Sequence, residues 1–273
     1  MNIKVNDINI DYRDEGEGEP VIFIHAFPLN QTMWDEQVSA VKNHCRAITL
    51  DLRGFGNSDV AEGPYLMDQM ASDVRSMMSA LDIERATIVG LSMGGYISLA
   101  LYRNYPEAVR AMVLADTRAS ADTHEGRERR KQSAEKAERF GAASIADDVI
   151  PNLLARASVE SRPDIVERVR MMIEANSPDA IAAAQRGMAE RRDSTYILAA
   201  IDFPTLIIVG SEDALTPVAE AEAMRDGIHH SDLRVIEGAG HLSNLERPHE
   251  FNTILVEFIE KLNAAAATDR SPL

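Results

Sequence analysis

The stretch Ile88-Val-Gly-Leu-Ser92-Met-Gly-Gly95 decides the fold. A short apolar run of the kind that forms a buried strand ends at Gly90. A pattern that is apolar nearly all round, Tyr96-Ile-Ser-Leu-Ala-Leu101, follows and reads as a buried helix. Between them Gly90-Leu91-Ser92-Met93-Gly94 has the form G-x-S-x-G, with the serine at the apex of a sharp strand-to-helix turn. Such a turn strains the serine backbone and projects its hydroxyl away from the sheet. A side chain two residues before or after would crowd the turn, so positions 90 and 94 require glycine. The pattern is short, and the rest of the chain has to supply a base, an acid and oxyanion donors before it means anything.

Outward from this stretch the same strand signature recurs. Pro20-Val-Ile-Phe-Ile-His25, Ala47-Ile-Thr-Leu50, Ala86-Thr-Ile-Val-Gly90, Val109-Arg-Ala-Met-Val-Leu114 and Pro204-Thr-Leu-Ile-Ile-Val-Gly210 are short apolar runs, as in strands buried on both faces of a parallel sheet. Ile3–Val5, Ile8–Tyr12 and Leu233–Ile236 alternate more, and Asp14–Glu19 reads as a polar, Gly-rich turn. Helical patterns lie between the runs. Met67, Met70, Ala71, Val74, Met77, Met78 and Leu81 form one apolar face, as do Phe251, Ile254, Leu255, Phe258, Ile259 and Leu262 behind a helix-starting Pro248. Alternating strands and helices imply an α/β fold with a doubly wound, mostly parallel central sheet, its active loops at the carboxyl ends of the strands.

The alternation breaks over residues 118–200, a stretch rich in Ala, Arg, Glu and Met, with helix punctuation expected at Pro151, Pro163 and Pro178. It is too long for a loop and reads as a helical insertion between strands 6 and 7, leaving 1–117 and 201–273 as the core. The run Glu125-Gly-Arg-Glu-Arg-Arg-Lys131 reads as a solvated helix face, with a binding patch as the lesser alternative, and the tail 264–273 is expected to fray.

Bulk composition narrows the function. The net charge of −16 argues against nucleic acid or an anionic membrane as partner. No apolar run approaches the roughly 20 residues needed to span a bilayer, and Met1–Asp7 has no apolar leader-like segment. A single cysteine, Cys45, excludes an internal disulfide framework and suits a reducing compartment. The expectation is a soluble, cytoplasmic protein.

A serine hydroxyl needs a general base, and the base needs a carboxylate to hold its tautomer. Of seven histidines, His241 stands out in the Gly-rich loop Gly238-Ala-Gly-His241 just after the last strand. Asp213 follows the strand ending at Gly210; its rivals as the acid are Glu212 and Asp116. The order Ser92, Asp213, His241, each at the carboxyl end of a strand, matches a Ser-Asp-His arrangement. Backbone N–H groups of Met93 and of Phe27, in His25-Ala-Phe-Pro28, are the expected oxyanion donors, with His25 supporting the turn. The Gly54-Phe-Gly56 loop lacks the third glycine of a dinucleotide fingerprint, and His229-His230 lacks partners at ligand spacing, so no cofactor and no metal are expected.

These pieces, together with Asp51-Leu-Arg-Gly-Phe-Gly-Asn-Ser58 and Thr216-Pro217, resemble an α/β-hydrolase-fold enzyme over essentially the whole chain. Within that superfamily the sequence is similar to small carboxylesterases, 3-oxoadipate enol-lactonases and cofactor-free perhydrolases. One departure is Ala26, where members usually carry glycine. The resemblance implies a serine hydrolase acting on an ester or lactone, with the insertion as a helical cap. A carbon–carbon bond hydrolase or perhydrolase using the same triad is the alternative, and a non-catalytic receptor a further one. Met171, Met172, Met188, Leu153 and Leu154 are candidate pocket liners. An arginine such as Arg118 or Arg186 pointing into the pocket would favour a carboxylate-bearing substrate.

Overall fold

A computed structural model describes residues 1–269. Within them eight strands form one sheet: β1 (Asn2–Val5), β2 (Ile8–Glu15), β3 (Pro20–Ile24), β4 (Arg46–Leu50), β5 (Ala86–Leu91), β6 (Val109–Ala115), β7 (Thr205–Gly210) and β8 (Ser231–Ile236). Their spatial order is β1-β2-β4-β3-β5-β6-β7-β8, with β1 and β2 antiparallel to their neighbours and all other pairs parallel. The expected turn at Asp14–Glu19 begins later than its composition suggests, because Asp14 and Glu15 still pair with Ile48 and Ala47 of β4.

Among the described residues ten α-helices accompany the sheet: α1 (Asp35–Val41), α2 (Met67–Ala80), α3 (Met93–Asn104), α4 (His124–Leu153), α5 (Arg156–Ser161), α6 (Pro163–Glu174), α7 (Pro178–Ala189), α8 (Val218–Gly227), α9 (Ser243–Glu246) and α10 (Pro248–Asp269). Successive strand side chains point to opposite faces, so each central strand feeds two cores. Ile22, Ile24, Ile88, Met112 and Ile207 pack with α2 and α3. Val21, Phe23, Val89, Val113 and Ile208 pack with α1 and α10 on the other face. Both faces are covered, which is why these strands read as unbroken apolar runs.

The chain winds from β3 to β4 on one side and then crosses to β5 on the other. β3 pairs with both, Ile22 beside Ile48 and Ile24 beside Gly90. Loops leaving β3 and β5 therefore diverge, opening a crevice at the carboxyl ends, where ligands bind in sheets of this kind.

Helices α4 to α7 occupy the interval between β6 and β7, as the broken alternation implied. Pro163 and Pro178 start α6 and α7, where the missing N–H costs nothing. Pro151 instead lies inside the final turns of α4, and the real break in that helix is at Gly141, with φ 81° and ψ 174°. At the C-terminus α10 continues through Asp269 rather than fraying from residue 264; the last part of the expected frayed tail lies outside the described residues. Among the described residues no helix is long and apolar enough to cross a membrane.

Candidate active site

Ser92 caps β5 and precedes α3, with φ 55° and ψ −112°, a left-handed backbone that a side chain adopts only under strain. The surrounding packing enforces that turn. A Cβ at Gly90 would lie 2.4 Å from the carbonyl of Gly94, and one at Gly94 would lie 2.2 Å from the carbonyl oxygen of Ile24. The backbone of the helix entry thus presses directly on the end of β3. Met93 is the first residue of α3, so its N–H has no acceptor within the helix and points out at the helix's positive end.

His241 follows β8, and its ring joins the two other residues expected from the sequence. Nε2 lies 2.8 Å from Ser92 Oγ, and Nδ1 lies 2.8 Å from Asp213 Oδ2. Asp213 also accepts from the N–H groups of Leu215 (2.8 Å) and Thr216 (3.0 Å) at Oδ1, and from Thr216 Oγ1 (2.6 Å) at Oδ2. Burial pushes this carboxyl up, but the neighbouring His241 and the Thr216 bonds overrule it and hold it below the ordinary carboxylate range. An ionised Asp213 accepts only, so Nδ1 carries the proton and Nε2 is left to accept from the serine hydroxyl.

The rival acids lie elsewhere. Asp116 is fully buried, accepts from Gly210 N (2.8 Å) and Ser243 Oγ, and makes no bond to His241. Desolvation, with the charge of Asp213 second, pushes its carboxyl well above the usual range. It braces the end of β7 against α9. Glu212 offers its N–H to Ala239 O (2.8 Å) and stays at the edge of the site.

His25 is buried, its Nδ1 2.9 Å from Ala26 O and its Nε2 accepting from Leu52 N at 3.1 Å. Burial depresses its proton affinity. It ties the β3 loop to the β4 loop, the supporting place expected from the sequence. In that loop Ala26 N–H meets Met33 Sδ at 3.2 Å, so the alanine is accommodated with its methyl buried. The Gly54–Gly56 turn is likewise structural. A Cβ at Gly56 would strike Asp51 Oδ2 at 2.1 Å, and that carboxylate accepts from Gln31 N and Asn57 N.

A cavity of about 420 Å³ opens over Ser92 and His241, with Phe27 at its edge. Of the expected liners, Leu153 and Met188 face it. Leu154 and Met172 are buried away from it, within the packing between the inserted helices and the core, and Met171 is 58% exposed on the outside. Arg186 also points outward, paired with Glu138 at 2.6 and 2.8 Å, whereas Arg118 does line the cavity. The charged run 125–131 is not wholly a solvated face: Gly126, Arg129 and Arg130 line the cavity too. Arg130 is drawn inward by an ion pair with the buried Asp122.

Two supporting residues left no mark in the sequence. Asn176, between α6 and α7, donates to Pro28 O (2.8 Å) and Met172 O (2.9 Å) and accepts from Gly56 N (2.9 Å), pinning the β3 loop from above. Glu246 accepts from Gly240 N (2.8 Å) with one oxygen and from Ala155 N (2.9 Å) with the other. A buried Asn or Glu is recognised as a brace only once its partners are brought together by the fold.

A mostly parallel sheet with a strained serine between β5 and α3 defines the class, and the chain belongs to the alpha/beta hydrolase fold family, whose sequence model matches residues 19–248. It is 29% identical over 263 residues to 3-oxoadipate enol-lactonase 2 of Acinetobacter baylyi, covering 96% of this chain and 97% of that protein. A thermophilic esterase from Thermogutta terrifontis, solved with malate bound, matches with a TM-score of 0.93 and 38% identity, over 96% of this chain and 98% of its own. The enol-lactonase from Burkholderia xenovorans LB400 matches with a TM-score of 0.89 and 27% identity, over 95% and 100%. The protein is an enzyme, a carboxylic ester hydrolase of this fold.

Proposed function

We propose that the protein cleaves a small carboxylic ester or lactone through an acyl-enzyme on Ser92. The continuous line of hydrogen bonds Ser92–His241–Asp213 beneath an open cavity carries this reading. Ser92 Oγ attacks the carbonyl carbon while His241 Nε2 takes its proton. Asp213 fixes the tautomer and stabilises the imidazolium that forms. The tetrahedral oxyanion is held by the N–H groups of Met93 and Phe27, each such donor being worth roughly 3–4 kcal/mol in a transition state. His241 then protonates the leaving alkoxide. Water attacks the acyl-enzyme with His241 as base, and collapse of the second tetrahedral intermediate returns the proton to Ser92 and releases the acid.

In this proposal residues 118–200 form a cap domain over a core of 1–117 and 201–273, and the cap sets which acyl or alcohol group fits. A cytoplasmic location accords with the single cysteine, Cys45, whose burial pushes the thiol up to about 12 and leaves it unreactive.

Turnover of p-nitrophenyl acetate and labelling by a fluorophosphonate test the proposal. Both are expected in the wild type and absent in Ser92→Ala. Equal turnover by the two proteins, or a folded wild type that leaves Ser92 unmodified, would overturn it.

A further inference from the structure

The cavity over Ser92 is unusually positive for a chain of net charge −16. Arg118, Arg129 and Arg130 line it, and Asp122 is the one carboxylate among its lining residues. Asp122 is buried and already shared among three guanidinium groups: ion pairs with Arg118 and Arg130, and a longer one with Arg191 at 3.2 Å. Those arginines hold its carboxyl below the ordinary range despite burial. Glu220 also acts on Arg118, but it is tied to Ser120 Oγ at 3.0 Å and does not line the cavity.

Arg191 and Arg130 are held in place by neutral groups besides the carboxylate they share. Arg191 lies behind the wall, its guanidinium 3.9 Å from the Tyr96 ring centroid and its Nη1 donating to Ser120 O at 2.6 Å. Arg130 donates Nη1 to the neutral Gln185 at 3.1 Å, and Gln185 in turn donates to Ser133 at 3.1 Å. Buried Nε atoms of Arg118 and Arg191 have no hydrogen-bond partner among the described residues. Arg129, exposed at the rim, makes no hydrogen bond or ion pair among the described residues; Glu125, one helical turn before it, acts on it electrostatically but does not line the cavity. Among the cavity-lining residues three guanidinium groups therefore stand against one carboxylate, with Glu125 and Glu220 outside the lining, and the surplus positive charge faces the same cavity as Ser92.

From this arrangement we infer that the enzyme selects esters or lactones that also carry a free carboxylate, bound by Arg118, Arg129 and Arg130 while the scissile carbonyl sits at Ser92. The inference rests on the ester-hydrolase proposal above and specifies its substrate class. Guanidinium forks match the planar carboxylate in two-point contact, and the partial shielding from water strengthens the pairing. A cavity of about 420 Å³ limits the substrate to a small molecule, such as the half-ester of a short dicarboxylic acid.

The test compares monomethyl glutarate with methyl 5-amino-5-oxopentanoate, the same chain ending in a neutral amide, with methanol release as the readout. Wild type is expected to favour the acid in kcat/KM by about 10- to 100-fold, the scale of hydrogen bonds to a charged group. That preference should shrink as salt is raised. In Arg130→Gln and in Arg129→Gln the acid-to-amide ratio is expected to fall severalfold. Because it is taken within one protein, the ratio is insensitive to a general loss of active enzyme. Arg129 holds no buried partner, so its variant decides the matter if Arg130→Gln fails to fold. A wild-type ratio at or below one overturns the inference, as does a ratio unchanged in Arg129→Gln and in whatever Arg130→Gln protein folds. Turnover of p-nitrophenyl acetate without turnover of either glutarate ester overturns the substrate class and leaves the serine-hydrolase proposal intact. No turnover of any of the three esters overturns both.

Discussion

Asp213→Asn tests the hydrogen-bond chain at the point where the structure makes the outcome directional. Asp213 Oδ1 accepts two backbone N–H groups, from Leu215 and Thr216, so the carbonyl oxygen of an asparagine must occupy that position. Its NH2 group then replaces Oδ2 and faces Thr216 Oγ1 and His241 Nδ1. Thr216 can turn its hydroxyl to accept. His241 has to become an acceptor at Nδ1, which moves its proton to Nε2, the atom now 2.8 Å from Ser92 Oγ. A protonated Nε2 cannot take the serine proton, and the fold is left intact. The expected loss is about 10³- to 10⁴-fold in kcat at neutral pH, the scale of a wrong-tautomer triad. That corresponds to roughly 4 to 5.5 kcal/mol of barrier.

Asp116→Asn is the matched control. Burial and the charge of Asp213 raise the proton affinity of Asp116 and so favour its neutral form, which an asparagine mimics while its carbonyl oxygen can still accept from Gly210 N–H. Its kcat should stay within about threefold of wild type, since no reacting atom is touched. The stability difference also has a sign. A carboxyl whose folded-state affinity is raised contributes fully below the unfolded value of about 4, and loses that contribution as pH climbs through the raised value. Asparagine has no proton to lose, so the variant's melting temperature should improve relative to wild type as pH rises from about 4. Initial rates on p-nitrophenyl acetate and melting curves across pH measure both effects. If Asp116→Asn abolished turnover while Asp213→Asn retained it, the carboxylate assignment would be reversed.

Two further perturbations probe the supports of the site. Asn176→Ala removes the bonds to Pro28 O and Gly56 N and should cost about 1–3 kcal/mol of stability by leaving buried groups unpaired. It should also lower kcat by about tenfold through a loosened Phe27 loop, with KM little changed; an unchanged kcat would show that the loop holds its place without the Asn176 bonds. Gly94→Ala places a methyl 2.2 Å from Ile24 O, where neither β3 nor the turn can yield cheaply, and is expected to cost about 3 kcal/mol or more in denaturant unfolding. A midpoint equal to wild type would mean the turn is softer than its packing implies.

What the sequence reveals follows from what is local. Strands β3, β5, β6 and β7 are readable because burial on both faces leaves no polar residue to break the run. The proximity of Ser92, Asp213 and His241 is readable because each follows a strand, and the parallel sheet collects those ends at one edge. Helices α1 and α8 are much fainter, since α8 buries just Ala221 and Met224 and shows no apolar stripe. Arg129 and Arg130 are misread for a related reason. A charged run on a helix looks the same whether it faces water or a polar cavity, and only the docking of α4 beside α7, with Asp122 beneath, distinguishes the two. The break at Gly141 is equally hidden, because a glycine in a helical pattern is tolerated and its positive φ depends on how the two halves of α4 pack.

The points where the inserted helices meet the core are also the points that position the Phe27 and His241 loops. Asn176 grips the loop that carries Phe27. Leu242, next to His241, donates its N–H to Leu153 O at 3.0 Å, while Glu246 ties Gly240 on the other side of His241 to Ala155. Burial pushes the Glu246 carboxyl up against the bonds from Ser158, Ala155 and Gly240, so its charge there is expensive and its two backbone contacts are specific. The approach is close enough that a Cβ at Gly240 would lie 2.3 Å from Ala155 N. A segment bonded to both the histidine loop and the Phe27 loop does not behave as an independent lid. Exchanging residues 118–200 for those of a related enzyme would move the Phe27 and His241 loops along with the pocket wall, so on the proposed mechanism substrate range and turnover change together unless Asn176, Glu246 and the 153–155 backbone contacts are kept.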